Sequence, residues 1–386
     1  MNQVARAAVE IGERERDMTY SLPFRATLAE YQQEAQQLYD ALRAGDNGAR
    51  WNFKWMHPRY KGKPVDDVDA ATLGLADAQL VVAQEYAFNK WDDLVKFTDA
   101  VTRDGPILIF ETGVDAVVGG DLVKLQSMLL EHRELPHARS TRRHRATLLH
   151  YIGANGVEGS RQKTPPNALD VMKTLLEAGA EPDAVADLYD GKCTTMSMVV
   201  TSTHPARAGL QAALAEMLLD YGASPQGRGN AWASPAMSAL AFGYHETAAA
   251  LASRGAAPDT LAAAAGLGLV DEARRLLPGA SEKERHIAVA LAAQHGQTDI
   301  LEMLLDAGED PNRYNPDGWH SHSTPLHQAI AADHENVARL LIERGARTDI
   351  KDTLYGGTPL GWADYCERTA IAAWLRARES ESAPNG

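Results

Sequence analysis

Thr324-Pro325-Leu326-His327 returns thirty-four positions later as Thr358-Pro359-Leu360-Gly361, and the stretch between them carries ENVARLLIERGA at 335–346. An imperfect echo stands at Ser234-Pro235-Ala236-Met237. Each of these starts reads as the beginning of a helix. A Thr or Ser hydroxyl caps the free backbone N–H groups of the first turn, and a proline at the first helical position has no amide hydrogen to leave unsatisfied. The other end is punctuated too: Leu-Leu-x-x-Gly phrases, with Ile as the second residue in the last, close at Gly179, Gly222, Gly308 and Gly345. There glycine can turn left-handed just past the helix. The chain therefore reads as short, capped helix pairs at a fixed period.

This punctuation resembles the ankyrin-repeat family, whose repeat of about 33 residues runs turn, Thr-Pro-Leu-His-x-Ala, short helix, longer helix, Leu-Leu-x-x-Gly-Ala. The resemblance implies an all-α ankyrin-repeat solenoid of about seven to eight helix-turn-helix repeats over 112–378. The first repeat lacks the Thr-Pro-Leu-His start, the fifth, TLAAAAGLGLVDEARRLLPGA, is short with almost no turn, and the sixth also begins without the motif. All three keep the paired-helix apolar pattern.

Outside the array, 1–19 reads as a flexible N-terminal tail and 379–386 as a flexible C-terminal tail. Residues 20–105 carry no repeat but place Leu28, Tyr31, Ala35, Leu38 and Leu42 at helical spacing, with a second such run from Leu75 to Leu94. The expectation is a small helical cap on the first repeat. LADAQLVVAQEYAF at 75–88 looks like the N-terminal region of a group of bacterial ankyrin-repeat proteins. Trp51, Phe53, Trp55 and Tyr60 alternate in a way that suits closing one end of a groove or packing as an aromatic junction with the first repeat.

Among the 386 residues, 45% are apolar and 23% charged, a globular balance. Acidic residues outnumber basic ones 52 to 38, and the formal charge of −14 argues against a nucleic-acid partner. Cys193 and Cys366 form no metal-type or disulfide-framework spacing, and the charged first eighteen residues hold no secretory apolar core. No run approaches the roughly 18 apolar residues of a membrane span. The reading is a cytoplasmic protein without membrane association.

Recognition residues in repeat arrays sit in turns and insertions, because the helices spend their apolar faces on neighbouring repeats. Two insertions stand out, GVEGSRQKTPPN at 156–167 and TSTHPARAG at 201–209. Equivalent turns of consecutive repeats should bring Glu158, Arg161 and Lys163 near His204 and Arg207, a polar set suited to a carboxylate or phosphate. The turns before the first helices carry Tyr189, Trp232, Tyr314, Trp319, His320, His322 and Tyr355, aromatic anchors of the kind found on recognition surfaces. His320 and His322 make an incomplete metal-ligand set, while His327 and His150 read as structural histidines of the helix starts.

No phosphate-binding glycine loop, His-Glu-x-x-His or Gly-x-Ser-x-Gly is present. The expected function is a scaffold that recognises a protein or peptide through its turns and concave face, with no cofactor and no bound metal. The alternative is a small-molecule-binding or catalytic protein, its polar site built from the insertions and its acid–base chemistry supplied by Glu158 or a histidine.

Overall fold

The computed structural model describes residues 22–382 except 190, 229–233 and 257–258. The expected N-terminal tail and the binding candidate Trp232 lie outside the described residues. The chain packs as two units divided between Trp232 and Ala233, a boundary inside the stretch read as one array.

The N-terminal unit opens with helices α1 (Leu28–Arg43), α2 (Asn47–Met56), α3 (Leu75–Glu85) and α4 (Trp91–Ala100). The α1 start is fixed locally: Thr27 Oγ accepts the Glu30 N–H, and Glu30 Oε2 accepts the Thr27 N–H at 2.6 Å. Two apolar clusters hold this module. One gathers Tyr31, Ala35, Val82, Tyr86, Phe88, Leu94 and Phe97, against which Ile107 and Leu108 of the following helix pack. The other gathers Leu42, Ala49, Phe53, Tyr60, Val68, Leu73 and Val81, all from the module itself. Phe53 and Tyr60 therefore belong to the module's own core rather than to a junction with the first repeat, because the α2 start and the turn after it fold back onto α1 and α3.

Three helix pairs follow in this unit: α5 (Pro106–Gly119) with α6 (Leu122–Glu131), α7 (Leu148–Tyr151) with α8 (Ala168–Glu177), and α9 (Thr195–Val199) with α11 (Gln211–Asp220). A short helix α10 (Thr203–Arg207) lies inside the insertion of the third pair. The first pair begins at Pro106, six residues before the expected 112, since Pro106 opens α5 after Gly105. Between the second and third pairs the turn is a small antiparallel hairpin, β1 (Val185–Leu188) and β2 (Gly191–Thr194), with Val185 opposite Thr194 and Leu188 opposite Gly191.

The C-terminal unit stacks five pairs: α12 (Pro235–Ala241) with α13 (His245–Ser253), α14 (Leu261–Leu267) with α15 (Val270–Leu276), α16 (Glu282–Gln294) with α17 (Thr298–Asp306), α18 (Pro325–Ala331) with α19 (Glu335–Glu343), and α20 (Pro359–Tyr365) with α21 (Thr369–Ser382). Within this unit α14, α16, α18 and α20 pack in succession, and so do α15, α17 and α19, the arrangement of a solenoid. One continuous core runs through Leu261, Val289, Leu301, Leu326, Val337, Leu341 and Leu375. The motif-poor fifth and sixth repeats are thus helix pairs like their neighbours. Helix α21 continues to Ser382, four residues into the expected tail. Ile371, Ala372 and Leu375 anchor it, and the Arg and Glu residues that follow are good helix formers.

Of the expected caps, Ser234 and Thr358 bond the backbone of their helices, while the Thr324 hydroxyl instead meets the His327 ring at 2.8 Å. Ser234, Thr260 and Thr358 accept N–H bonds from Met237, Ala263 and Gly361, and Gly179, Gly222, Gly308 and Gly345 all take positive φ. Close approach also decides one glycine: a Cβ on Gly153 would lie 2.6 Å from the Met198 Cβ, where α7 meets α9. Gly153→Ala is therefore expected to destabilise the N-terminal unit by about 1–3 kcal/mol through overpacking. Urea denaturation checks this, and an unchanged midpoint would show that the two turns can move apart at no cost.

Candidate functional site: the turns and a buried ion cluster

In the C-terminal unit the turns before α18 and α20 are pinned by short polar contacts. Asp352 accepts the N–H groups of Leu354, Tyr355 and Gly357 and the Trp362 indole N–H, at 2.7–3.0 Å. Burial would raise the Asp352 carboxyl, but these donors together bring it below its ordinary value. His327 Nδ1 bonds Thr324 Oγ1 at 2.8 Å, and its Nε2 reaches the Gly357 carbonyl at 3.2 Å. His150 does the same in the N-terminal unit, with Thr147 at 2.8 Å and the Cys193 carbonyl at 3.3 Å. Both histidines are thus ties between neighbouring repeats.

On this frame Tyr355 is half exposed, and Tyr314 is exposed with its hydroxyl donating to the Lys351 carbonyl at 2.7 Å. Leu354 and Tyr365 are exposed as well. Trp319 and His322 differ from their expected exposure: both are buried, His322 with its ring 5.8 Å from Trp362 and 6.4 Å from Tyr355. The turn before α18 is longer than its neighbour and folds these rings back beneath its tip. His320 is half-buried, with Nε2 at 2.8 Å from the Ala241 carbonyl. Its ring centre is 6.0 Å from that of His322. Among the described residues no three His, Cys, Asp or Glu side chains gather as a metal site.

In the N-terminal unit the second insertion meets the residues just before the first. Asn155 Nδ2 donates to Thr201 Oγ1 at 3.0 Å, and Ser202 Oγ donates to the Ala154 carbonyl at 3.2 Å. Tyr189 is half-buried and its hydroxyl bonds Asn155. Lys163 and Arg207 are exposed and His204 is half-buried.

Glu158 and Arg161 do not join them on the surface. They turn inward into a buried ion cluster with Glu111 of α5 and with Arg142 and His144 of the turn before α7, and Glu111, Arg142 and Glu158 are only 1%, 2% and 3% exposed. Arg142 pairs with Glu158 and, at 3.2 Å, with Glu111. Arg161 pairs with Glu111 and, at 2.9 Å, with Asp115. Glu158 also accepts the Tyr151 hydroxyl at 3.1 Å and faces His144 Nε2 at 3.3 Å.

This cluster fastens the helical module to the first repeats. Arg142 donates to the Tyr86 carbonyl at 2.7 Å and lies 4.9 and 4.5 Å from the centres of the Phe88 and Phe97 rings. Arg161 lies 5.2 Å from that of Phe24. Burial by itself would raise the Glu158 carboxyl. Arg142, His144 and Arg161 outweigh it and hold that carboxyl well below the usual range. A carboxylate so held neither gives up nor takes a proton near neutral pH, so Glu158 is unsuited to the acid–base role. The surface reading failed because isolated charges in a polar insertion carry no mark of their burial; Glu111 and Arg142, which complete the cluster, lie outside both insertions.

Comparison with known proteins agrees with the helix pairs. The family described as ankyrin repeats, in three copies, matches residues 289–384. The ankyrin repeat-containing protein P1E11.10 of Schizosaccharomyces pombe is 37% identical over 82 residues, 21% of this chain and 36% of that protein. Cyclin-dependent kinase 4 inhibitor B of Homo sapiens is 29% identical over 131 residues, 32% of this chain and 90% of that protein. The ADP-ribosylation factor GTPase-activating protein AGD2 of Arabidopsis thaliana is 38% identical over 82 residues, 21% of this chain and 9% of its own length. Residues 289–384 thus match ankyrin repeats, and the helix pairs of the C-terminal unit stack as a helical solenoid. The chain spans 36% of the first of these relatives and 9% of the third. No described helix is long and apolar enough to cross a membrane.

Proposed function

We propose that this chain is a binding scaffold that recognises a protein or peptide through the turns of its C-terminal unit, with Tyr314 and Tyr355 as the main contacts. The observation that carries this reading is a pair of exposed tyrosines on turns already held rigid, by the Asp352 amide bonds and by the Tyr314 hydroxyl on Lys351. A tyrosine offers large apolar area with few rotatable bonds, so a pre-ordered one loses little entropy on binding. Exposed Leu354 extends the apolar tip. The similarity to a relative named as a kinase inhibitor supports an interaction role without naming this chain's partner.

The test is co-purification from the native host followed by titration of each purified partner. Replacing Tyr314 and Tyr355 together by Ala is expected to weaken binding by about 30-fold or more, the scale of a hot spot near 2 kcal/mol. The Asp352 bonds to the backbone remain in that variant, so the fold should persist. A partner bound equally well by the double variant would overturn the assignment of these turns.

A further inference from the structure

Residues 47–64, NGARWNFKWMHPRYKGKP, contain Arg50, Lys54, Arg59, Lys61 and Lys63 and no Asp or Glu, in a chain whose formal charge is −14. The apolar side of α2 is spent on the module core through Ala49 and Phe53. That leaves two adjacent i,i+4 columns, Arg50 with Lys54 and Trp51 with Trp55. The two indoles are half-buried and stacked, with ring centres 5.8 Å apart and planes 18° apart. Lys54 Nζ lies 4.3 Å from the Trp55 ring centre on a side chain only 5% exposed, and it makes no ion pair among the described residues. Trp55 is thus covered by Trp51 and Lys54, whereas no second ring or cation of the described residues lies against Trp51.

The turn that follows carries the remaining cations on a fixed frame. His57 is buried, its Nε2 at 3.1 Å from Asp77 and its Nδ1 accepting the Arg59 N–H at 3.2 Å, and Tyr60 is buried behind it. Arg59, Lys61 and Lys63 are exposed, and Arg50 and Lys63 make no ion pair among the described residues. Of the nearby acids, Asp46 accepts the Ala49 N–H, Asp69 the Ala71 N–H, and Asp77 is held by Gly74 and His57, while Asp66 and Asp67 are exposed just after Lys63 and leave the stretch 47–67 with five cations against two anions.

We propose that this face of the N-terminal module binds single-stranded nucleic acid, with a base stacked on Trp51 and phosphates held by Arg50, Arg59 and Lys63. Alternation of a half-buried indole with cations matches the alternation of base and phosphate along a single strand. A duplex keeps its base faces inside the stack, and an acidic peptide offers carboxylates without flat rings. The expectation that net negative charge excludes nucleic acid treats the charge as one sum. Screening over about 8 Å at physiological salt makes the local patch decide contact.

The test is a fluorescence-anisotropy titration of the full chain with labelled oligothymidylate, a duplex of equal length and polyglutamate. Oligothymidylate should bind tightest, and its affinity should fall as salt rises. Trp51→Ala should weaken it by about 5-fold to 150-fold, the span of one base–aromatic stack. Lys63→Glu, on an exposed turn where folding is not at stake, should weaken binding and flatten the salt dependence. Circular dichroism confirms that both variants are folded. Absent binding, equal affinity for duplex or polyglutamate, or a folded Trp51→Ala variant that binds as wild type would each overturn the proposal.

Discussion

Arg142→Ala is expected to lower the stability of the N-terminal unit by about 3–5 kcal/mol, the range for removing one partner of a buried ion pair. Its guanidinium is the shared cation of Glu111 and Glu158, and its removal leaves two carboxylates under 4% exposed with Arg161 as the remaining guanidinium of the cluster, beside the His144 ring and the Tyr151 hydroxyl on Glu158. The same change deletes the hydrogen bond to the Tyr86 carbonyl and the contacts with Phe88 and Phe97, so the helical module loses its main polar tie to the repeats. Arg142→Lys should recover only part of the loss, because one ammonium cannot reach Glu111, Glu158 and the carbonyl at once. Urea denaturation followed by circular dichroism reads the effect. A loss below 1 kcal/mol would mean that water enters and solvates the two carboxylates.

Acid is expected to lower the stability of both units progressively from about pH 6.5 downward, starting before surface carboxylates titrate. Burial pushes His150 and His295 down to about 4, against the partial support of hydrogen bonds to the Cys193 and Leu240 carbonyls. His286, His322, His327 and His334 are lowered in the same sense, again by burial first. An unfolded histidine takes up its proton near pH 6.5, and these folded ones resist doing so. Their contribution is complete above about pH 6.5 and is lost as pH falls toward 4. For His150 and His295 it is on the order of 3 kcal/mol each at 1.36 kcal/mol per pH unit.

Glu34 acts with the opposite sign. Burial raises it to about 7 despite the Tyr86 hydroxyl, so protonation at mild acidity relieves a cost within the helical module. Denaturation midpoints measured from pH 7.5 down to 4 should therefore fall. His295→Gln, which keeps an N–H for the Leu240 carbonyl but does not titrate, should flatten the decline in the C-terminal unit. A profile level across that range would show that these imidazoles are already open to water in the folded chain.

The parts of the fold legible in the sequence were those set within a few residues. Ser234 before Pro235, Thr358 before Pro359 and the glycines at 179, 222, 308 and 345 act on backbone groups of their own turn. Their outcome depends little on the rest of the chain. His150 and His327 were legible as structural for the same reason, three residues from the threonines they bond. Tyr314 and Tyr355 could be assigned to turns, and both are exposed there. Trp319 and His322 could be assigned to a turn but not to its underside, because a long turn can fold its rings outward or inward with the same residues.

Residue types and their spacing by themselves determined the helix pairs and their glycine ends, since these follow from hydrogen bonds and apolar faces repeated along neighbouring segments, whereas the division of the array into two units was not written there. Only the tertiary structure decided which charges are buried. Glu111, Arg142 and Glu158 come from separate segments, and whether a carboxylate faces water or an arginine depends on how those segments dock. The energy of a charge is set by the dielectric and the partners around it, and neither is written in the residues beside it in the chain.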